Sequence, residues 1–323
     1  MRIDLLVLDG AFDLGLTSIL DTLTIAAELA QQQPKPRPRL QVRRVGVRKR
    51  VKTAQGFTVP VEKVGSGPRP DVVIVPALGC KTPPTIDAAL GRRDVRDGCA
   101  WLCDQHERGG RVMAACTGTF VLAESGLLDG GSATTTWWLA PLFRQRYPSI
   151  DLDESQMVVP SGRCTTAGAA LAHLDLALWV VRGQSPALAS LTSRYLLVDE
   201  RPSVALGAIP DHLTHDDPIV SAFEEFARKH MADSFSLADA ARAVGTSERT
   251  LSRRMKRTLG KTPLGYVQDL RVERAVHRLR TSDASVDAIA EEVGYVDGVT
   301  LRTLLRKKTG RGIRELRRVA GSG

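Results

Sequence analysis

The chain is predicted to form an α/β unit, a mostly parallel sheet sandwiched by helices, followed by an all-α unit with two helix-turn-helix motifs. Three observations predict it. Strand-like and helix-like runs alternate through about the first two hundred residues, the pattern of a parallel sheet covered on both faces. A helix-turn-helix pattern near the end then repeats at an offset of 49 residues. The positive charge follows the repeat: from Ser221 onward there are 21 Lys and Arg against 13 Asp and Glu, leaving 24 against 23 before it, so eight of the nine net charges sit there.

In chain order, residues 3–8, 40–47, 72–75 and 112–115 are short, apolar or β-branched and read as strands. Residues 19–30, 92–108 and 171–182 carry helical spacing. Residues 31–39, with three Gln and three Pro, read as a loop. Residues 203–218 hold Pro210, Pro218 and Gly207 directly after Pro202, and read as a linker. The expected organisation is thus a first domain at 1–202, a linker at 203–220 and a second domain at 221–323.

The repeat is written in capping chemistry. Its first copy starts at Ser236 and its second at Ser285, each a Ser whose oxygen can take an orphan helix amide. Gly245 and Gly294 end the first helix of each copy, where a left-handed backbone is needed. Ala241 and Ala290 are small residues at equivalent inner positions. From Thr250 and Thr300 onward the offset becomes 50, so the second turn is one residue longer. A connecting helix from Pro263 to about Leu279, with Pro263 near its first position, joins the copies.

Composition excludes several classes. A chain of 323 residues, 43% hydrophobic, has enough apolar material for two cores, and no run is long enough to span a bilayer. The first eight residues are a strand with an acid inside, not a signal peptide. Five cysteines without a Cys-x-x-Cys pair or zinc spacing imply a reducing, cytoplasmic setting with no structural metal, and no cofactor is expected. A basic surplus on a helical unit is the footprint of phosphate binding, so double-stranded DNA is the expected partner.

One stretch of the first domain carries possible chemistry. Residues 112–115 run straight into Cys116 and then a helix, the strand-to-helix geometry of a nucleophile elbow. A thiol aimed at helix-terminal amides is expected to have a lowered pKa. His106 and His173 read as structural histidines.

Residues 115–130, Ala133-Thr134-Thr135-Thr136-Trp137 and Thr165-Thr166-Ala167-Gly168-Ala169 resemble a class I glutamine amidotransferase-like domain of the DJ-1/PfpI type. The region from about 221 to 319 resembles an AraC/XylS-type head, and the combination resembles the GlxA family of transcriptional regulators. The resemblance implies a flavodoxin-like first domain that senses a small-molecule effector and forms a homodimer, with RNA polymerase as a further partner. Catalytic relatives place a His where this chain has Thr136, and a hydroxyl cannot serve as a general base near neutral pH. Cys116 is therefore expected to be vestigial, with no catalytic residue and no enzyme activity; the alternative is a cysteine-dependent hydrolase or amidase with a DNA-localising head. The expected ligand-site residues are Asp13, Cys116, Thr117, Thr136 and Trp137, with Trp138 beside them.

In the head, the AraC-type pattern implies that Ser247, Glu248, Arg249, Ser252 and Arg253 face DNA from the first reading helix, with Leu251 and Met255 turned inward. Arg249 or Arg253 would meet guanine, a contact worth about 1–3 kcal/mol of discrimination. The second reading helix would offer Val299, Thr300, Arg302, Thr303 and Arg306. With Thr303 in the place of Arg253, the pair is expected to read asymmetrically: bases mainly by the first helix, phosphate and shape by the second.

Overall fold

In a computed structural model the chain forms two compact units, Met1–Val204 and Ala205–Gly323. The structure describes residues 1–33, 37–198 and 215–318.

The first unit begins β1 (Arg2–Leu6), α1 (Asp13–Gln31), β2 (Gln41–Gly46), β3 (Arg50–Lys52), β4 (Thr58–Pro60), β5 (Glu62–Lys63) and β6 (Val72–Val75). It continues α2 (Pro83–Leu90), α3 (Arg93–Glu107), β7 (Arg111–Ala115), α4 (Gly118–Glu124), β8 (Ser132–Ala133), α5 (Ala140–Arg146) and β9 (Asp151–Leu152). A hairpin, β10 (Val158–Ser161) and β11 (Cys164–Ala167), leads into α6 (Ala172–Arg182) and α7 (Pro186–Tyr195). Seven strands pair in the order β10-β11-β7-β6-β1-β2-β5, every pair parallel except β10 with β11.

The central strands are apolar on both faces because both are covered. Ile3, Leu5, Ile74 and Met113 join Ile19, Leu23 and Leu176 in one core, while Leu6, Val73, Val75 and Val112 join Leu102, Phe120 and Phe143 in another. That is the two-residue alternation of a strand applied to a sheet with no wet side. The acid inside β1, Asp4, is buried, and its register partner Arg43 on β2 donates to both carboxylate oxygens at 2.8 and 2.7 Å. The four strands and three helices read from the sequence are present. The β10–β11 hairpin, the β3–β4 pair, α2, α5 and α7 are additions, and Gln31 closes α1 instead of opening the loop.

The second unit is helical: α8 (Pro218–Lys229), α9 (Leu237–Ala243), α10 (Glu248–Leu259), α11 (Pro263–Thr281), α12 (Val286–Glu292), α13 (Gly298–Thr309) and α14 (Ile313–Arg318). Residues 203–214 of the expected linker lie outside the described residues. α8 already starts at Pro218, inside that stretch, because Pro suits the first helical position and Asp217 caps it. The caps behave as the repeat implies: Ser236 accepts from Asp239 N, Ser247 from Thr250 N, Ser285 from Ala288 N and Asp297 from Thr300 N. Gly245 and Gly294 sit at φ 68° and 82°. The extra residue of the second turn moves the cap from Ser247 to Asp297, an offset of 50.

Each motif has its own core. Val220, Phe223, Leu251, Met255, Leu259, Tyr266 and Leu270 form one; Val276, Leu279, Ile289, Leu301, Leu305 and Leu316 form the other. α11 serves both, its first half packed in one and its second half in the other. Leu316 on α14 closes the second core, so the C-terminal segment Gly310–Leu316 packs through that leucine.

Candidate nucleic-acid interface and elbow cysteine

The elbow is formed as the sequence implies. Cys116 stands between β7 and α4 at φ 54°, a strained value for a residue with a side chain, and its amide donates to Ala167 O at 2.7 Å. Gly118 is required there: a Cβ would lie 2.6 Å from Val75 O and 2.7 Å from Pro76 O. Threonines rivet the turn, with Thr117 Oγ1 donating to Leu78 O at 2.6 Å and Thr135 Oγ1 to Cys116 O at 2.8 Å.

The chemistry differs from the expectation of an activated thiol. Burial pushes the Cys116 pKa up to about 11, against which the Thr117 amide and the Thr136 and Thr117 hydroxyls pull only weakly. At pH 7 such a thiol is ionised about once in 10⁴ molecules, too rarely to be a nucleophile of consequence. The helix-end amides that should have activated it are outweighed because Cys116 is only 3% exposed. Thr136, wholly buried, offers a hydroxyl that makes no other hydrogen bond, and no proton acceptor comes with it.

The remaining candidates are committed elsewhere. Asp13 Oδ2 accepts the Gln55 amide at 3.0 Å, tying α1 to the loop after β3. His173 is fully buried: its Nε2 accepts from Ala77 N at 3.0 Å, so Nδ1 carries the proton toward Ala170 O at 2.7 Å, and burial lowers its pKa to about 4. Trp137 and Trp138 are half-buried in a short 3₁₀ turn, ring centroids 5.5 Å apart and nearly perpendicular. Of the five expected ligand-site residues, Cys116, Thr117 and Thr136 are buried, while Asp13 and Trp137 are partly open.

In the head, the two candidate helices differ in burial from face to face. Leu251 and Met255 are buried, while Ser247, Glu248, Arg249 and Arg253 are exposed and Ser252 is half-buried. On α13, Val299, Thr300, Arg302, Thr303 and Arg306 are all exposed. Sequence reasoning missed the tertiary ion pairs behind these faces. Asp269 on α11 holds Lys261 at 2.7 Å and Lys308 at 2.8 Å. Asp217 holds Arg254 at 2.9 Å and Arg257 at 3.6 Å. Arg271, buried on α11, donates to Met231 O at 2.9 Å and Asp233 O at 2.6 Å, and its guanidinium lies 5.0 Å from the Tyr295 ring. It thereby joins the chain entering the first motif to the turn of the second.

A mostly parallel sheet with a buried elbow cysteine, followed by a helical unit with two helix-turn-helix motifs, defines a two-part architecture. Residues 240–319 match the family model described as a helix-turn-helix domain. The chain is 28% identical to the HTH-type transcriptional regulator CdhR of Pseudomonas aeruginosa, over 60% of this chain and 59% of that one. It is 24% identical to the HTH-type transcriptional regulator GbdR of the same species, over 69% of this chain and 64% of that one. The chain thus spans about three-fifths of the length of the curated relatives it matches. Among solved structures, a THiJ/PfpI family protein from Pseudomonas syringae is similar at a TM-score of 0.51 with 20% identity, over 76% of this chain and 90% of that one. A candidate transcriptional regulator from Vibrio parahaemolyticus is similar at a TM-score of 0.51 with 22% identity, over 61% of this chain and 98% of that one. Among the described residues, no helix is long and apolar enough to cross a membrane.

Proposed function

We propose that the chain is a sequence-specific DNA-binding transcription regulator of the GlxA type, without enzyme activity and acting in the cytoplasm. The observation that carries this reading is the doubled motif: two reading helices, each capped, each preceded by a left-handed glycine turn, each with its candidate contact residues on an open face. Held by α11, the two helices suit successive major-groove turns about 34 Å apart. Arg249 and Arg253 read base edges, and Arg302 and Arg306 on α13 anchor phosphate.

In this reading the first unit forms a homodimer, which brings two heads to two half-sites and raises affinity through effective concentration. It also takes a small-molecule effector at the partly open rim of the elbow, Asp13 and Trp137, with Cys116, Thr117 and Thr136 forming its floor. RNA polymerase is the further partner through which bound protein acts. The hydrolase alternative is disfavoured, because the thiol is protonated and Thr136 stands where a base is needed.

Selection of bound sequences from a random DNA pool, with the intact protein at near-physiological salt, tests the proposal. Enrichment of a defined direct or inverted repeat is the expected result. Tight, salt-sensitive binding without enrichment would make the head a non-specific anchor and return attention to Cys116.

A further inference from the structure

We infer that Asp217 is an intramolecular competitor of DNA phosphate, occupying two arginines of the first reading helix and so holding down the head's affinity for DNA of arbitrary sequence. The inference rests on the DNA-binding reading above and adds to it a residue that sets the sequence-independent part of the affinity.

The geometry of the acid is fixed from three sides. As the cap of α8 its Oδ1 accepts the amides of Ile219 at 3.1 Å and Val220 at 3.3 Å. Its own amide donates to His215 Nδ1 at 3.3 Å, and His215 Nε2 lies 3.2 Å from Glu224 Oε2, with both side chains nearly buried. α8 cannot slide, because Val220, Phe223 and Ala227 share a core with Leu251, Met255 and Leu259 of α10. A carboxylate held this way is pre-organised, and the Asp217 side chain is 9% exposed.

Its two cationic partners stand where phosphate would be met. Arg249, Arg253 and Arg257 recur every four residues along α10, so Arg257 continues the stripe of the two base-reading candidates, and Arg254 flanks it. Arg257 Nη2 is 3.6 Å from Asp217 Oδ2 with its side chain still 73% exposed, while Arg254 Nη1 is bonded at 2.9 Å to Oδ1. Each guanidinium gives the carboxylate one of its three nitrogens, so Asp217 weakens a phosphate contact through its charge and the donor it holds rather than excluding it. Binding DNA through these arginines therefore works against the attraction of Asp217. Every sequence, cognate or random, gains less from these phosphate contacts than it would without the acid.

The test uses the full chain and a mixed-sequence duplex, with affinity followed from about 50 to 200 mM salt. Asp217→Asn removes the charge and keeps a good helix cap, and Asp217→Ser does the same with a different side chain. Two freed phosphate contacts steepen the salt slope by up to about 1.8, so the affinity lost across that fourfold salt range grows by up to about twelvefold. Binding to the mixed duplex at the lower salt tightens accordingly, with circular dichroism unchanged. Adding Arg254→Ala and Arg257→Ala to Asp217→Asn returns the slope to the wild-type value or below. Binding with an unchanged slope in both Asp217 variants, or a steep slope that survives loss of both arginines, overturns the assignment while leaving the regulator reading intact. Absence of salt-sensitive DNA binding by the unaltered chain would sink the regulator reading and this one together.

Discussion

Arg271→Ala is the substitution that most directly probes how the head holds together. The guanidinium is 6% exposed, donates to two carbonyls that precede the first motif, and lies over the ring of Tyr295 in the second. Truncation removes two part-buried, charge-assisted hydrogen bonds, to Met231 O and Asp233 O, at about 1–2 kcal/mol each because water can reach the exposed Asp233 and replace part of the loss. It also removes a partly buried cation–π contact worth about 1 kcal/mol. Relief of the guanidinium's own desolvation offsets part of this, for an expected loss of about 2–4 kcal/mol. The chain supplies its own control: its four tryptophans, Trp101, Trp137, Trp138 and Trp179, all belong to the first unit, so the part of the circular dichroism change that tryptophan fluorescence does not follow reports the described helices of the second. In urea the second unit's share of the far-ultraviolet change should move to lower denaturant, while the tryptophan transition and the helical signal that follows it stay in place. Arg271→Lys should not restore it, because an ammonium lacks the planar fork that spans both carbonyls. A helical transition shifted by less than about 1 kcal/mol would refute the reasoning and make Arg271 a bystander.

Three further outcomes are expected. Gly245→Ala and Gly294→Ala impose the same left-handed strain of about 1–2 kcal/mol, but only at Gly294 would the new methyl meet backbone, 2.7 Å from Ala232 O, whereas Gly245 has open space; thermal unfolding should separate the two, and equal losses would contradict the packing described. Alkylation of native Cys116, followed by peptide mapping, should be very slow at pH 7 and climb about tenfold per pH unit toward its pKa of about 11; a plateau reached below pH 8 would reveal a thiolate stabilised by some other group. Arg253→Ala should relax base preference at one position of a selected sequence, while Lys307→Ala should weaken all sequences alike and flatten the salt slope by about 0.9. A uniform loss for Arg253→Ala would reassign it to phosphate, and an unchanged slope for Lys307→Ala would remove it from the interface.

What could be read in advance was what is written locally. Ser236 and Ser285 cap helices, and Gly245 and Gly294 turn the chain, through interactions spanning only a few residues, so their spacing alone located the two motifs. The apolar runs of β1, β6 and β7 announced a sheet covered on both faces for the same reason. The hairpin at 158–167 was missed because Pro160 and the short polar strands carry no clean alternation. The thiol of Cys116 was misjudged because the elbow pattern shows nearby amides and not the depth of burial, which is set by α4 and the threonine-rich turns around it. Asp217 with Arg254, Asp269 with Lys308, and Asp13 with Gln55 are separated by about forty residues each, beyond the reach of any periodicity. Lys308, a natural companion to Lys307 as a phosphate contact, proves to be spent on Asp269.

The division of the head into two cores bears on how such a protein changes over generations. Leu251, Met255 and Leu259 secure one reading helix without help from Leu301 and Leu305, which secure the other. The outward residues of either helix are thus free to mutate without unsettling its neighbour. On the proposed DNA-binding reading, an operator with two boxes can drift in one box while the other keeps the protein on site, and the matching helix can follow it. Duplication of a binding element inside one polypeptide makes regulatory rewiring a sequence of small, separately survivable steps.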